Sequence, residues 1–121
     1  MIEIRPAQEW MVKALYGQTL ERSVEAIVAL EGNHVLGMAA LYPENGHLVL
    51  VARITDKARE GIGRCSHKRA LIKAARAILN RAARWKLPVV TLADARFENA
   101  ARLIEHLGFT PIGRDAYEWK P

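Results

Sequence analysis

ITDKAREGIGRCSHKRALIKAARAILNRAARWKLPVVTLA, residues Ile54 to Ala93, is the stretch whose reading decides the fold. Leu71, Ile72, Ala75, Ile78, Leu79, Ala82 and Trp85 fall at i, i+1, i+4, i+7, i+8, i+11 and i+14, a single apolar stripe that predicts a long helix. Arg69, Lys73, Arg76, Asn80 and Arg84 take the opposite side. Pro88 stops the helix, having no amide to donate. Val89 to Ala93 is uncharged and β-rich, as suits a strand buried in a parallel sheet. A strand before the glycines, the long helix and this second strand make a βαβ crossover.

Upstream the period is two, not three and a half. Ile2 and Ile4 alternate with polar neighbours and read as a first strand. Residues 7–23 carry Trp10, Met11, Ala14, Leu15 and Leu20 at helical spacing, broken near Gly17. Glu25 to Leu30, a turn at Glu31-Gly32-Asn33, and His34 to Tyr42 make two strands. A second turn is expected at Pro43-Glu44-Asn45-Gly46, because Asn-Gly tolerates positive φ, and His47 to Thr55 follows as a third strand. Downstream, Asn99 can cap a short helix through Leu107, with Gly108 and Phe109 placed for a Schellman close. Ile112 to Trp119 reads as one last strand.

The expectation is one α/β domain over residues 1–121: an antiparallel meander followed by a parallel βαβ crossover in a mixed sheet, with helices on both faces. Half of the residues are hydrophobic, enough for a real core. No long apolar run and no signal-like start occur, and Cys65 is the one cysteine, so a cytoplasmic, reducing location without a membrane is expected. Cys65 itself reads as incidental. His34, His47, His67 and His106 show no metal-ligand spacing, so no metal is expected. Trp10, Trp85 and Trp119 read as core or edge fillers.

The net charge of +5 is unevenly spread. Residues 61–93 hold eight of the 18 basic residues and no acid, while the remainder has ten basic and 13 acidic residues. An anionic ligand near the long helix is the physical inference. A nucleic-acid partner is not expected, because no aromatic residues interleave with the cations and no reader motif occurs.

An open sheet of this kind binds ligands at the carboxyl ends of its parallel strands, here residues 55–63 and 93–99. Arg59-Glu60-Gly61-Ile62-Gly63-Arg64 lies there, between strand and helix. Glycines let backbone amides approach a ligand, and a helix start favours phosphate. Glu44 and His47, at the hairpin, are candidates to relay a proton through water. Tyr117 is a candidate donor.

Together these segments resemble the GCN5-related N-acetyltransferases (GNATs), which place an Arg/Gln-x-x-Gly-x-Gly/Ala loop between a strand and a long helix. Here Ile54 to Arg64 matches that element with one residue missing between Arg59 and Gly61, and Asn99 to Phe109 matches the family's Asn-led helix ending in Gly-Phe. Ile4-Arg5-Pro6-Ala7 and the hairpin around Gly37 are also similar to the family. The resemblance implies acetyl-CoA as cosubstrate. Backbone groups of Arg53 and Ile54 would hold the pantetheine arm. Arg59, Gly61, Gly63 and Arg64 would hold the pyrophosphate, and Asn99 would contact the carrier. It further implies an N-acetyltransferase in which a primary amine, on a small molecule or a protein, attacks the thioester directly. A homodimer is compatible with it.

One departure points elsewhere. Ile104 stands where the family often has a tyrosine that protonates the thiolate. The ending Asp94 to Trp119 is also similar to short acetyltransferase-like proteins of tailed phages, and with Ile104 this resemblance implies the alternative, a non-catalytic GNAT-like phage accessory or virion protein acting through protein contacts.

Overall fold

The computed structural model describes residues 2–8, 23–32, 34–54, 65–93 and 100–121. Along the chain come β1 (Ile2–Pro6), β2 (Glu25–Glu31), β3 (His34–Glu44), β4 (His47–Ile54), α1 (Cys65–Ala83), β5 (Val89–Leu92), α2 (Ala100–His106), β6 (Thr110–Gly113) and β7 (Ala116–Trp119). The strands form one sheet in the order β1-β2-β3-β4-β5-β7-β6. β4 and β5 are parallel, and every other neighbouring pair is antiparallel.

The meander follows from its turns. Asn45 and Gly46 close a two-residue hairpin, with Gly46 at φ 77° and Glu44 opposite His47. The turn is tighter than the sequence predicts, since Pro43 and Glu44 belong to β3. Pro43 is tolerated because β2 pairs with β3 only as far as Leu41, so the missing amide interrupts no ladder. The last strand expected from Ile112 to Trp119 is instead a hairpin, β6 and β7. Asp115 adopts φ 57° in its turn, a left-handed conformation that a short polar side chain accepts. This hairpin inserts β7 between β5 and β6.

The pleat divides the sheet's residues between two faces. On one, Ile27, Ala39, Leu41, Leu48, Val89 and Tyr117 pack with Ile78, Leu79 and Ala82 of α1 and with Phe109. Ala101 and Ile104 of α2 lean on the same cluster, so both described helices serve one face. Ile27, Leu41, Leu48, Ile78 and Val89 are at most 1% exposed, and each contributes about 1.5–3 kcal/mol of transfer free energy. Val28, Leu30, Met38 and Ala40 form a second cluster. The one or two short helices expected within residues 7–23 fall on residues 9–22, which lie outside the described residues.

α1 runs across β2 and β3. Arg81 near its end donates to Glu25 at 3.1 Å, fixing it to the start of β2. The helix closes at Ala83, and the amides of Trp85 and Lys86 bond back to Ala82 and Ala83. Trp85 is thus outside the helix and 44% exposed, not the last member of the buried stripe. Three residues of the stripe, Ile78, Leu79 and Ala82, are buried as predicted. α2 ends in the Schellman close read from Gly108-Phe109: Phe109 donates to Ile104 at 3.2 Å, Gly108 donates to Glu105 at 3.0 Å, and Gly108 has φ 98°. Among the described residues no helix is long and apolar enough to cross a membrane.

Candidate functional site

The sheet parts along one line. β4 and β5 pair at only two positions, Leu48 with Val89 and Val49 with Val90. Beyond them β4 continues on β3 as far as Ile54, opposite Gly37, and β5 continues on β7 as far as Leu92, opposite Ala116. Both strands therefore extend, each held by its outer neighbour, while the backbone register between them ends. The opening lies at the carboxyl ends of the two parallel strands.

Backbone alternation fixes what lines this opening. The Leu48 amide donates to the Pro88 carbonyl at 2.9 Å, so the even-numbered residues of β4 aim their backbone groups toward β5. Those of Leu50, Ala52 and Ile54 accordingly face the gap side, while those of Val51 and Arg53 face β3. On β5 the matching residues are Val90 and Leu92. The Leu50 carbonyl, just past the last register pair, accepts the Thr91 hydroxyl at 3.1 Å. Ala52, Ile54 and Leu92 lie further along, where the register between the two strands has ended. Val51 and Leu92, on the face opposite Leu48 and Val89, form an apolar rim, 38% and 71% exposed. Leu92 departs from the expectation of a wholly buried run: leaving the ladder at the gap takes its side chain out to solvent.

Positive charge collects on the helix. α1 is the element that follows β4, and its first turn carries no acid. Arg69, Lys73, Arg76 and Asn80 are exposed along its outer side, as the sequence predicts, and Arg84, also exposed, lies one residue past its end. Arg69, Lys73 and Arg76 line a shallow hollow floored by Ile72 and Ala77. No ion pair with an acid among the described residues neutralises these cations, whereas Arg81 is paired with Glu25. The field favours an anion near α1.

The candidate residues divide into three groups. Arg53 and Ile54 end β4 beside the gap, and by alternation the backbone of Ile54, with that of Ala52, faces it, while that of Arg53 is turned to Met38 of β3. Arg59, Gly61, Gly63, Arg64 and Asn99 lie outside the described residues. Glu44 and His47 sit at the opposite end of β4 from Ile54, roughly 23 Å along the strand. There the His47 ring nitrogen Nδ1 meets the Asn45 carbonyl at 3.1 Å, a bond within the hairpin. The structure does not bring them to the gap. Tyr117 is opposite Thr91 in register, one strand away from the gap, and 9% exposed in the main core. Ile104 packs against that core and its carbonyl receives the helix-closing bond of Phe109. Ala52, Thr91 and Leu92 were not legible as site residues. The one available signal was Thr91, the single hydroxyl in the run Val89–Leu92. Among the described residues no three His, Cys, Asp or Glu side chains gather as a metal site.

A mixed sheet opened at a parallel seam, with a cationic helix following the seam's first strand, is the class of α/β protein defined here. Among solved structures it has close parallels. A GCN5-related N-acetyltransferase from Kribbella flavida superposes with a TM-score of 0.69 at 15% identity, covering 99% of this chain and 98% of that one. The ribosomal-protein-S18-alanine N-acetyltransferase from Escherichia coli gives 0.68 at 16% identity, covering 98% and 91%. A GNAT-family acetyltransferase from Brucella melitensis, in complex with acetyl-CoA, gives 0.61 at 17% identity, covering 99% and 88%. No family model and no curated protein sequence matches the chain. The fold is that of the GCN5-related N-acetyltransferases.

Proposed function

We propose that the protein is an acetyl-CoA-dependent N-acetyltransferase acting on a primary amine. The observation that carries this reading is the parting of β4 from β5 after two register pairs, with backbone groups of Ala52, Ile54 and Leu92 on its inner edges. A gap between two strands suits an extended ligand that carries amides, because such a ligand can take the place of a strand. The pantetheine arm of CoA is of that kind, and its phosphates would lie toward the cationic helix. The acetyl-CoA complex of the Brucella melitensis protein, which has this fold, supports the choice of ligand. In this reading Ile54, Arg59, Gly61, Gly63, Arg64 and Asn99 remain the candidate carrier contacts, with Ala52 and Leu92 added, while Arg53, whose backbone is turned to Met38 of β3, is withdrawn.

Acetyl-CoA supplies an activated thioester. The amine nitrogen forms a bond to the acetyl carbon as the carbon–sulfur bond breaks, the nitrogen gives up a proton, and the thiolate takes one. The chain's part is to hold the carrier and to present an amide to the carbonyl oxygen. Glu44 and His47 take no role in this scheme, because their hairpin is at the far end of β4. Tyr117 would reach the sulfur only by leaving the core.

One observation favours a second reading. Ile104 has no proton to give, and it is engaged in packing. A non-catalytic protein of the same fold, for instance a phage accessory or virion component working through protein contacts, would tolerate it. Two measurements separate the readings. The enzyme reading expects a rise in melting temperature with acetyl-CoA, since a ligand at a hundred times its Kd stabilises by about 2.7 kcal/mol. It also expects release of free thiol when an amine panel is added. Absence of any shift at millimolar acetyl-CoA would overturn it. A shift with no thiol released from any amine would favour the second reading.

A further inference from the structure

We propose that Thr91 is the positioning residue that fixes where the sheet parts, and that its hydroxyl keeps the acyl-carrier gap open. The inference rests on the reading of the gap as a carrier site, and names the residue that sets its depth.

In a regular parallel pair the next bond after Val49–Val90 would run from the Leu92 amide to the Leu50 carbonyl. That bond would extend the register to Leu50 and Thr91, and the register stops short of it. The Leu50 carbonyl instead accepts from Thr91 Oγ1 at 3.1 Å. Thr91 is 8% exposed and, beside Tyr117, is the buried hydroxyl-bearing side chain among the described residues. A buried hydroxyl requires a partner, and so does a carbonyl at a strand edge. Each satisfies the other here, across strands. The hydroxyl thus takes one of the two acceptor positions of the same carbonyl that the Leu92 amide would need in order to zip the seam one step further, and crowds the approach to the other. The Leu92 side chain, 71% exposed, marks the point where β5 has left the ladder.

Thr91 is also held on its other side. It is in register with Tyr117 of β7, and the amide of Ala93 donates to the Asp115 carbonyl at 2.8 Å. β5 is thus tied to the β6–β7 hairpin on both sides of Leu92, while its β4 side is released. The three observations together describe a stop: a side chain that competes with the main chain for one carbonyl, on a strand whose path is set by its other neighbour.

The test compares Thr91→Val, which removes the hydroxyl at similar volume, with Thr91→Ser, which keeps it. Acetyl-CoA affinity is read by calorimetry, and exchange of the Leu92 amide is read by NMR in the unliganded protein. In the wild type the Leu92 amide is expected to exchange freely. In Thr91→Val it is expected to become protected, and acetyl-CoA binding to weaken by about five- to tenfold. Thr91→Ser is expected to restore both. Should turnover be measurable, KM for acetyl-CoA rises in Thr91→Val while kcat changes less. A protected Leu92 amide in the wild type would overturn the inference, and this needs no variant, so a Thr91→Val chain that does not fold still leaves a decisive measurement. Unchanged affinity in a folded Thr91→Val would also overturn it. Failure of the wild type itself to bind acetyl-CoA, with a freely exchanging Leu92 amide, would instead count against the carrier reading.

Discussion

At the scale of single residues, backbone conformation explains what side-chain chemistry does not. Gly108 holds φ 98°, and a Cβ there would stand 3.6 Å from the Trp119 ring, an ordinary contact. Space is therefore not the obstacle; the left-handed backbone is. Gly108→Ala is expected to destabilise the protein by about 1–2 kcal/mol, read as a lower urea midpoint at unchanged m-value. This position was legible in the sequence, because Gly-Phe after a short apolar helix has few other meanings. Asp115 was not. Its positive φ turns the chain between β6 and β7 without the Asn-Gly signature that announced the turn at Gly46. A turn whose left-handed residue is an aspartate is made by its flanking strands, so Ile112 to Trp119 read as continuous. Thr91 was passed over for a related reason. A hydroxyl in a β-rich run carries no functional mark until the strand beside it is known.

The helix α1 shows the same boundary between local and non-local information at the scale of an element. Its stripe predicted Ile78, Leu79 and Ala82 as core, and they are buried against the sheet. Trp85 fits the stripe's arithmetic equally well but falls two residues after the helix ends at Ala83, and it is 44% exposed. Lys86, at φ 55°, has already turned the chain toward Pro88 and β5. The two positions should respond very differently. Ile78→Ala empties a fully buried site and is expected to cost about 2–5 kcal/mol of stability. Trp85→Ser is expected to change stability by about 0.5 kcal/mol or less. Paired chemical denaturation curves check both. If Trp85→Ser proved as damaging as Ile78→Ala, the helix would have to extend past Ala83.

At the scale of the whole molecule, the order of the elements was readable and the shape of the site was not. The crossover, the meander and the sheet's mixed character all follow from periodicity, turn chemistry and an uncharged second strand. Where β5 leaves β4 it stays in register with β7, and β7 belongs to the hairpin that the sequence did not announce. Local stability should mirror this arrangement. β3 is paired on both sides and buried from Leu36 to Leu41, whereas all four residues of the edge strand β6 are exposed. Hydrogen exchange is expected to be slowest in β3 and fastest in β6. The sheet's outer strands are also unsuited to recruiting another chain: β1 ends in Pro6 and β6 contains Pro111, each lacking an amide to offer a newcomer.

The brevity of the β4–β5 pairing has a mechanical side. Among the described residues, two register pairs are all the backbone ladder that joins the amino-terminal half of the sheet to the β5-β7-β6 half. The halves cohere mainly through greasy contact beneath them, where Leu48, Val89, Ala82 and Phe109 meet. Such contact resists sliding poorly compared with a row of hydrogen bonds. The molecule is therefore built like a book with a short spine: its pages can swing apart at the fore-edge by small rotations while the binding stays whole, and a pull on the two covers would tear it there first.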